Sequence, residues 1–164
     1  MSIGTAVVRQ FTQRIAAGPR EVFPLLCPVR EDDWLEDWAQ HCRLVRSERG
    51  HAEPGCVFVT SHPDRRDTTW VVTRHDPETG VVEFCRVCPD IEAVTLAIRV
   101  RATGTGSAVE IRYTAVPLPG SEAEAFGHRW AAAAFLRDQR WWEASMNHYL
   151  TTGEMLRRGD RAAS

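Results

Sequence analysis

Few side chains in this 164-residue chain have types and spacings suited to chemistry. Cys85-Arg86-Val87-Cys88 has the C-x-x-C spacing of zinc sites and redox pairs, in which both sulfurs must point to one place. The stretch reads as a strand, where residues i and i+3 face opposite sides. Only a break at Cys88-Pro89 would bring the thiols together, and no second C-x-x-C exists. Five cysteines (Cys27, Cys42, Cys56, Cys85, Cys88) make an odd count, which suits buried thiols in a reducing compartment. Six histidines (His41, His51, His62, His75, His128, His148) show no H-E-x-x-H or H-x-H chelate spacing, so structural or surface roles are expected. All twenty basic residues are arginine, which excludes lysine Schiff-base and lysine general-base mechanisms. There is no G-x-S-x-G, P-loop or G-x-G-x-x-G fingerprint, and Gly104-Thr105-Gly106 lacks both a third glycine and a following helix. The expectation is a site without metal or cofactor.

Polar residues that share a face with large apolar neighbours are more informative. In the segment 81–88, Val82, Phe84, Arg86 and Cys88 share one side. In 68–75, Thr68, Trp70, Val72 and Arg74 share one side. If Trp70 and Phe84 face inward, so does Arg86. An arginine keeps its charge, so a buried one needs an acid partner or an anionic ligand. Asp138 lies beside an apolar helical stripe, three residues after Phe135 and four before Trp142. An Arg86–Asp138 pair inside a cavity is therefore one expectation. The alternative is that Arg86 points outward and Asp138 only flanks the stripe. Six tryptophans and six phenylalanines supply a core, with rings left over to stack on an aromatic or polycyclic ligand.

These residues must be positioned by a definite order of elements. Residues 6–15 alternate Val7, Phe11 and Ile15 with Gln10, Thr12 and Arg14, the period of a half-buried strand. Gly18-Pro19 breaks that strand and starts a short helix carrying Val22, Phe23, Leu25 and Leu26, which Cys27-Pro28 ends. A second short helix is expected from Glu31 to Trp38. Strands follow at about 42–48, 56–62, 68–75, 81–88, 92–102 and 108–117, separated by turn residues such as Glu53-Pro54-Gly55 and Asp76-Pro77-Glu78-Thr79-Gly80. Such short links predict antiparallel hairpins in a meander. After Pro117-Leu118-Pro119-Gly120, Ser121 is a credible N-cap for one long helix running to about Leu156. Ala131, Phe135, Gln139, Trp142, Met146 and Tyr149 fall on one face of it.

A seven-stranded antiparallel sheet exposes an apolar face, and only the last helix is long enough to cover it. A helix of roughly 30 residues spans ~45 Å. A bent sheet cannot touch a straight rod along its whole length, so a cavity is expected between them. The fold class is thus α+β: a curved seven-stranded antiparallel sheet, two short helices after strand 1, and a long C-terminal helix. One domain over residues 1–156 with a flexible tail at 157–164 fits the length.

Composition narrows the partners. The net charge of −2, with arginines and acids interspersed, does not form the basic stripe of a nucleic-acid binder. No apolar run approaches the ~20 residues of a membrane span. The first residues lack the pattern of a signal peptide, so a cytoplasmic location is expected. A homodimer is compatible with the sequence but nothing requires one.

Several local motifs give a resemblance. Phe11-Thr12-Gln13-Arg14-Ile15 followed by Gly18-Pro19-Arg20-Glu21-Val22-Phe23-Pro24-Leu25-Leu26 resembles the opening of the SRPBCC (START-like, helix-grip) superfamily, in which a strand runs through a proline turn into a VF-x-LL helix. Trp34 to Trp38 sits where that superfamily has a tryptophan-bearing helix, and Glu53-Pro54-Gly55-Cys56-Val57-Phe58 resembles its glycine-led third strand. Pro28-Val29-Arg30-Glu31, Trp70 to Asp76 and Met146-Asn147-His148-Tyr149-Leu150 look like an uncharacterised bacterial subgroup. The resemblance covers roughly residues 5–153 and implies a helix-grip fold. It leaves function open, because the fold hosts carriers, polyketide cyclases, receptors and co-chaperones.

The leading expectation is binding of a small, mostly hydrophobic ligand, aromatic or anionic in part, in the sheet–helix cavity. Its expected lining is Phe58, Trp70, Phe84, Arg86, Leu96, Ile98, Ile111, Tyr113, Phe126, Trp130 and Asp138. The alternatives are a cyclase- or dehydratase-like enzyme using Asp138, Tyr113, His148 or Arg86, and a co-chaperone-like protein-binding module.

Overall fold

The structure, a computed structural model, describes residues 5–63 and 65–159. Strand β1 (Val7–Ile15) leads into α1 (Pro19–Val22) and a 3-10 turn (Phe23–Leu26). Next come α2 (Glu31–Trp34), α3 (Trp38–His41), β2 (Cys42–Arg46), β3 (Val57–His62), β4 (Arg65–Asp76), β5 (Val81–Cys88), β6 (Glu92–Thr103) and β7 (Gly106–Pro117). The chain closes with α4 (Ala123–Arg129) and α5 (Ala132–Thr152). The seven strands form one antiparallel sheet in the order β1-β7-β6-β5-β4-β3-β2. This is the expected meander, with β1 brought round to pair with β7.

Two expected helices are each broken in two. The expected 31–38 helix stops at Leu35, because Asp37 takes a left-handed conformation (φ 67°) before α3 begins. Asp tolerates that region better than most residues. The long terminal helix is interrupted at Trp130-Ala131, where Ala131 is extended (ψ 136°). α5 therefore has 21 residues and a length of ~31 Å, not ~45 Å. Its N-terminal companion α4 starts after Glu122, not Ser121. Gly153 ends α5 in the left-handed region (φ 76°), the usual glycine stop.

α5 is tied to the free edge of β1. The Asn147 side chain accepts from the Ala16 N–H at 2.8 Å and donates to the Arg14 carbonyl at 2.9 Å. Glu143 accepts from the Arg14 N–H at 2.6 Å, and Gln13 donates to the Gln139 side chain at 3.3 Å. These bonds satisfy an edge that would otherwise offer itself for pairing. Away from β1, towards β3, β4 and β5, the helix and the sheet diverge. Between them α2 packs on α5, with Trp34 fully buried edge-on against Trp142 and its indole N–H donated to the Leu25 carbonyl.

Strand parity holds except at bulges. β4 shifts register between Val72 and Arg74, so Arg74 leaves the inner face that it was expected to share with Trp70. It pairs instead with Asp76 and Glu83 at the surface, and His75 turns inward against the ring of Phe23. Cys85 and Cys88 lie on opposite faces of β5, and Cys88 is buried. Among the described residues no cluster of His, Cys, Asp or Glu suits a metal ion, and no helix is long and apolar enough to cross a membrane. Of the expected tail 157–164, residues 160–164 lie outside the described residues. Arg158 is held to Glu36 through its backbone N–H and lies over the Trp141 ring.

Candidate functional site

Between the sheet and α5 lies a cavity of about 490 Å³. Cross-strand register builds its floor. Phe58 of β3 stands opposite Trp70 of β4, Trp70 opposite Arg86 of β5, Phe84 opposite Leu96 of β6, and Leu96 opposite Tyr113 of β7. Phe58 and Trp70 stack at 5.4 Å, and Phe84 meets both edge-on. Tyr113 packs against Trp130 and Phe135. Phe135, Gln139 and Trp142 of α5 form the roof, while α2 and α3 supply Glu31 and Trp38 to one wall. His41 and His62 stack at the rim, 5.0 Å apart.

Arg86 points inward, as its parity with Phe84 implied. Its carboxylate partner is Glu92, not Asp138. Arg86 Nη2 lies 3.1 Å from Glu92 Oε1, and Glu92 is 1% exposed. The other carboxylate oxygen accepts the indole N–H of Trp130 at 2.8 Å. A second guanidinium, that of Arg129, stands 3.6 Å from Glu92 Oε1. The Arg86 guanidinium lies over the rings of Trp70 (5.0 Å) and Trp130 (5.7 Å). The break between α4 and α5 makes this arrangement possible. It sets Arg129 and Trp130 over the start of β6, where the Trp130 carbonyl also accepts from Arg9 at 2.9 Å.

Asp138 sits at the cavity mouth, two-thirds exposed, with Arg137 at 3.7 Å. Its place on α5 turns the carboxylate toward water, so a buried pair with Arg86 is not formed. Phe58, Trp70, Phe84, Arg86, Leu96, Ile98, Tyr113 and Trp130 also line the cavity. Ile111 and Phe126 do not: both are buried in the packed core. Ile111 lies opposite Ile98 and Phe11, on the side of the sheet nearest β1, where α5 closes down. Phe126 is the buried residue of α4, ahead of the break that carries Trp130 to the cavity. His148, on α5, is likewise not part of the lining.

Two buried acids escaped the sequence reading. Glu92 shares the alternation of Val94, Leu96 and Ile98, a signal masked by its place beside the Pro89-Asp90 turn. Glu31 is 6% exposed, and its Oε2 is buried without a hydrogen bond. Burial alone pushes its carboxyl well above the ordinary value of 4.5. The Tyr113 phenol is pushed up to about 12, chiefly by burial and against the pull of the Arg86 charge. It therefore remains a hydrogen-bond donor at neutral pH. The thiol of Cys42 is also pushed up to about 12, mainly by burial, so it is a poor nucleophile.

No protein-family model and no curated protein sequence matches the chain. Solved structures do. Ara h 8.0201 superposes with a TM-score of 0.64 at 14% identity, over 90% of this chain and 100% of that one. Norcoclaurine synthase from Thalictrum flavum gives 0.63 at 11% identity, over 91% of this chain and 88% of that one. The di-domain ARO/CYC protein StfQ of the steffimycin biosynthetic pathway gives 0.58 at 17% identity, over 90% of this chain and 52% of that one. At these identities the likeness is one of architecture: the chain shares the helix-grip fold of these structures.

Proposed function

We propose that the protein binds a small, mostly apolar, ring-bearing molecule in the cavity between its sheet and α5. The observation that carries this reading is the unfilled volume of about 490 Å³ walled by Phe58, Trp70, Phe84, Tyr113, Phe135 and Trp142. That volume falls within the range of small-molecule pockets. Apolar walls contribute roughly 25 cal/mol per Å² of surface withdrawn from water, and the polar groups set orientation. The fold is shared with a synthase and with an aromatase/cyclase domain, which is consistent with a ligand-holding interior.

The test uses 1-anilinonaphthalene-8-sulfonate, whose fluorescence rises in apolar sites. One equivalent is expected to bind the native protein. Ile98→Trp, which projects a larger ring into the cavity, is expected to abolish that signal while the protein still melts cooperatively. Fluorescence enhancement unchanged in Ile98→Trp contradicts the reading.

A second reading is an enzyme of the cyclase or dehydratase kind, and Glu31 favours it. A buried carboxylic acid with one unpartnered oxygen on the wall of a ligand cavity, its protonated form favoured by burial, is suited to proton transfer. Tyr113, held protonated, would then serve as a donor to a developing oxyanion. This reading requires product to form from a bound aromatic polyketide; the binding reading does not.

A further inference from the structure

This inference rests on the reading of the cavity as a small-molecule site and specifies the charged group of the ligand. We propose that the ligand carries a carboxylate, received between Arg86 and Arg129 at the end of the cavity closed by Trp130.

The charges at that end do not balance. Two guanidinium groups face one carboxylate, that of Glu92, so the cluster holds one uncompensated positive charge. The other acids of the lining do not supply the missing charge: Glu36 pairs with Arg158, Asp138 with Arg137, Asp37 accepts from the Gln40 side chain, and burial favours the protonated form of Glu31. The hydrogen-bonding capacity is also unspent. Arg86 Nε and Arg129 Nη1 are both buried and lack a hydrogen-bond partner, although both residues line the cavity. Glu92 Oε1 lies near both guanidinium groups but out of hydrogen-bond alignment with either. A buried donor left unmet is costly, and for a charged group more so.

Arg86 has little freedom to escape into water. Its side chain is 12% exposed and lies over the indoles of Trp70 and Trp130. Trp130 is in turn fixed by its own bond to Glu92. What remains is a partly dehydrated pair of guanidinium groups, both belonging to residues of the cavity lining and sharing one carboxylate. Guanidinium forks match the two oxygens of a carboxylate. A monoanion neutralises the single excess charge, whereas a phosphate dianion overshoots it.

The experiment is calorimetric titration with naphthalene-2-carboxylate, naphthalene-2-carboxamide and 2-naphthyl phosphate. The carboxylate is expected to bind the native protein at least about tenfold more tightly than the amide, the lower end of what a charge-assisted hydrogen bond contributes. Arg129→Gln is expected to reduce the carboxylate to the affinity of the amide. Glu92→Gln keeps an oxygen for the Trp130 indole and removes the competing charge. It is expected to tighten the carboxylate several-fold and leave the amide unchanged, a gain that a purely structural ion pair would not produce. Equal affinity for carboxylate and amide, with both bound, overturns the inference and leaves the cavity reading intact. Tighter binding of the phosphate than of the carboxylate overturns the assignment of the group. Binding of none of the three removes the cavity reading and this inference together.

Discussion

Glu31 is the side chain whose environment conflicts most with its charge. It opens α2, and its neighbours Asp32 and Asp33 face solvent, while its own carboxyl is enclosed. Raising the native-state pKa above the unfolded value makes the native state bind its proton more tightly. Stability from this group is therefore fully present below the ordinary value of 4.5 and declines as pH rises through the raised native value. Glu31→Gln keeps the shape without the ionisation. It is expected to melt close to the native protein at pH 4 and higher at pH 8, by about 2–4 °C for each kcal/mol of penalty relieved. Thermal melts across that range check this, and a variant that melts lower than the native protein at pH 8 contradicts it. Should an aromatic polyketide be turned over, the same substitution is expected to stop product formation and spare binding.

How much of this was legible residue by residue depended on parity. The inward direction of Arg86 followed from Phe84 two positions before it. Its true partner did not, because finding Glu92 requires the β5–β6 register: Arg86 stands opposite Val94, and Glu92 is the diagonal neighbour. Glu31 was hidden by its company, since a run of three acids at a helix start reads as a solvated first turn. Arg74 shows the opposite failure, where a bulge cancelled an alternation that looked regular.

At the scale of elements, turn chemistry located the hairpins well, and β5 spans the segment expected. The helix break at Trp130-Ala131 was not legible: the one weak helix former nearby, Gly127, lies inside α4 and not at the break. Tertiary contacts decide it: the indole reaches Glu92 and the carbonyl receives Arg9. The attachment of α5 to β1 is equally non-local and concentrates on Asn147. Asn147→Ala removes two bonds to the β1 edge, at a net cost of about 1–3 kcal/mol. Hydrogen exchange is expected to accelerate at the Ala16 amide, with little change at the amides of β5 in the sheet centre. Unchanged exchange at Ala16 would show that α5 is held to the sheet by packing alone.

At the scale of the whole molecule, the cavity exists because one end of α5 is bound to an edge strand while the sheet bends away beneath the other. Short helices α2 and α3 fill part of the opening, and the α4–α5 break brings an arginine and a tryptophan to the opposite end. The resulting space is walled largely by aromatic and aliphatic side chains, with Arg86 and Arg129 at one end. The most direct measurement is a crystal structure of the protein soaked with naphthalene-2-carboxylate. The account predicts ring density between Phe84, Leu96 and Phe135, beneath α5. Side chains packed solidly through that volume, with the probe absent or confined to the surface, would contradict it.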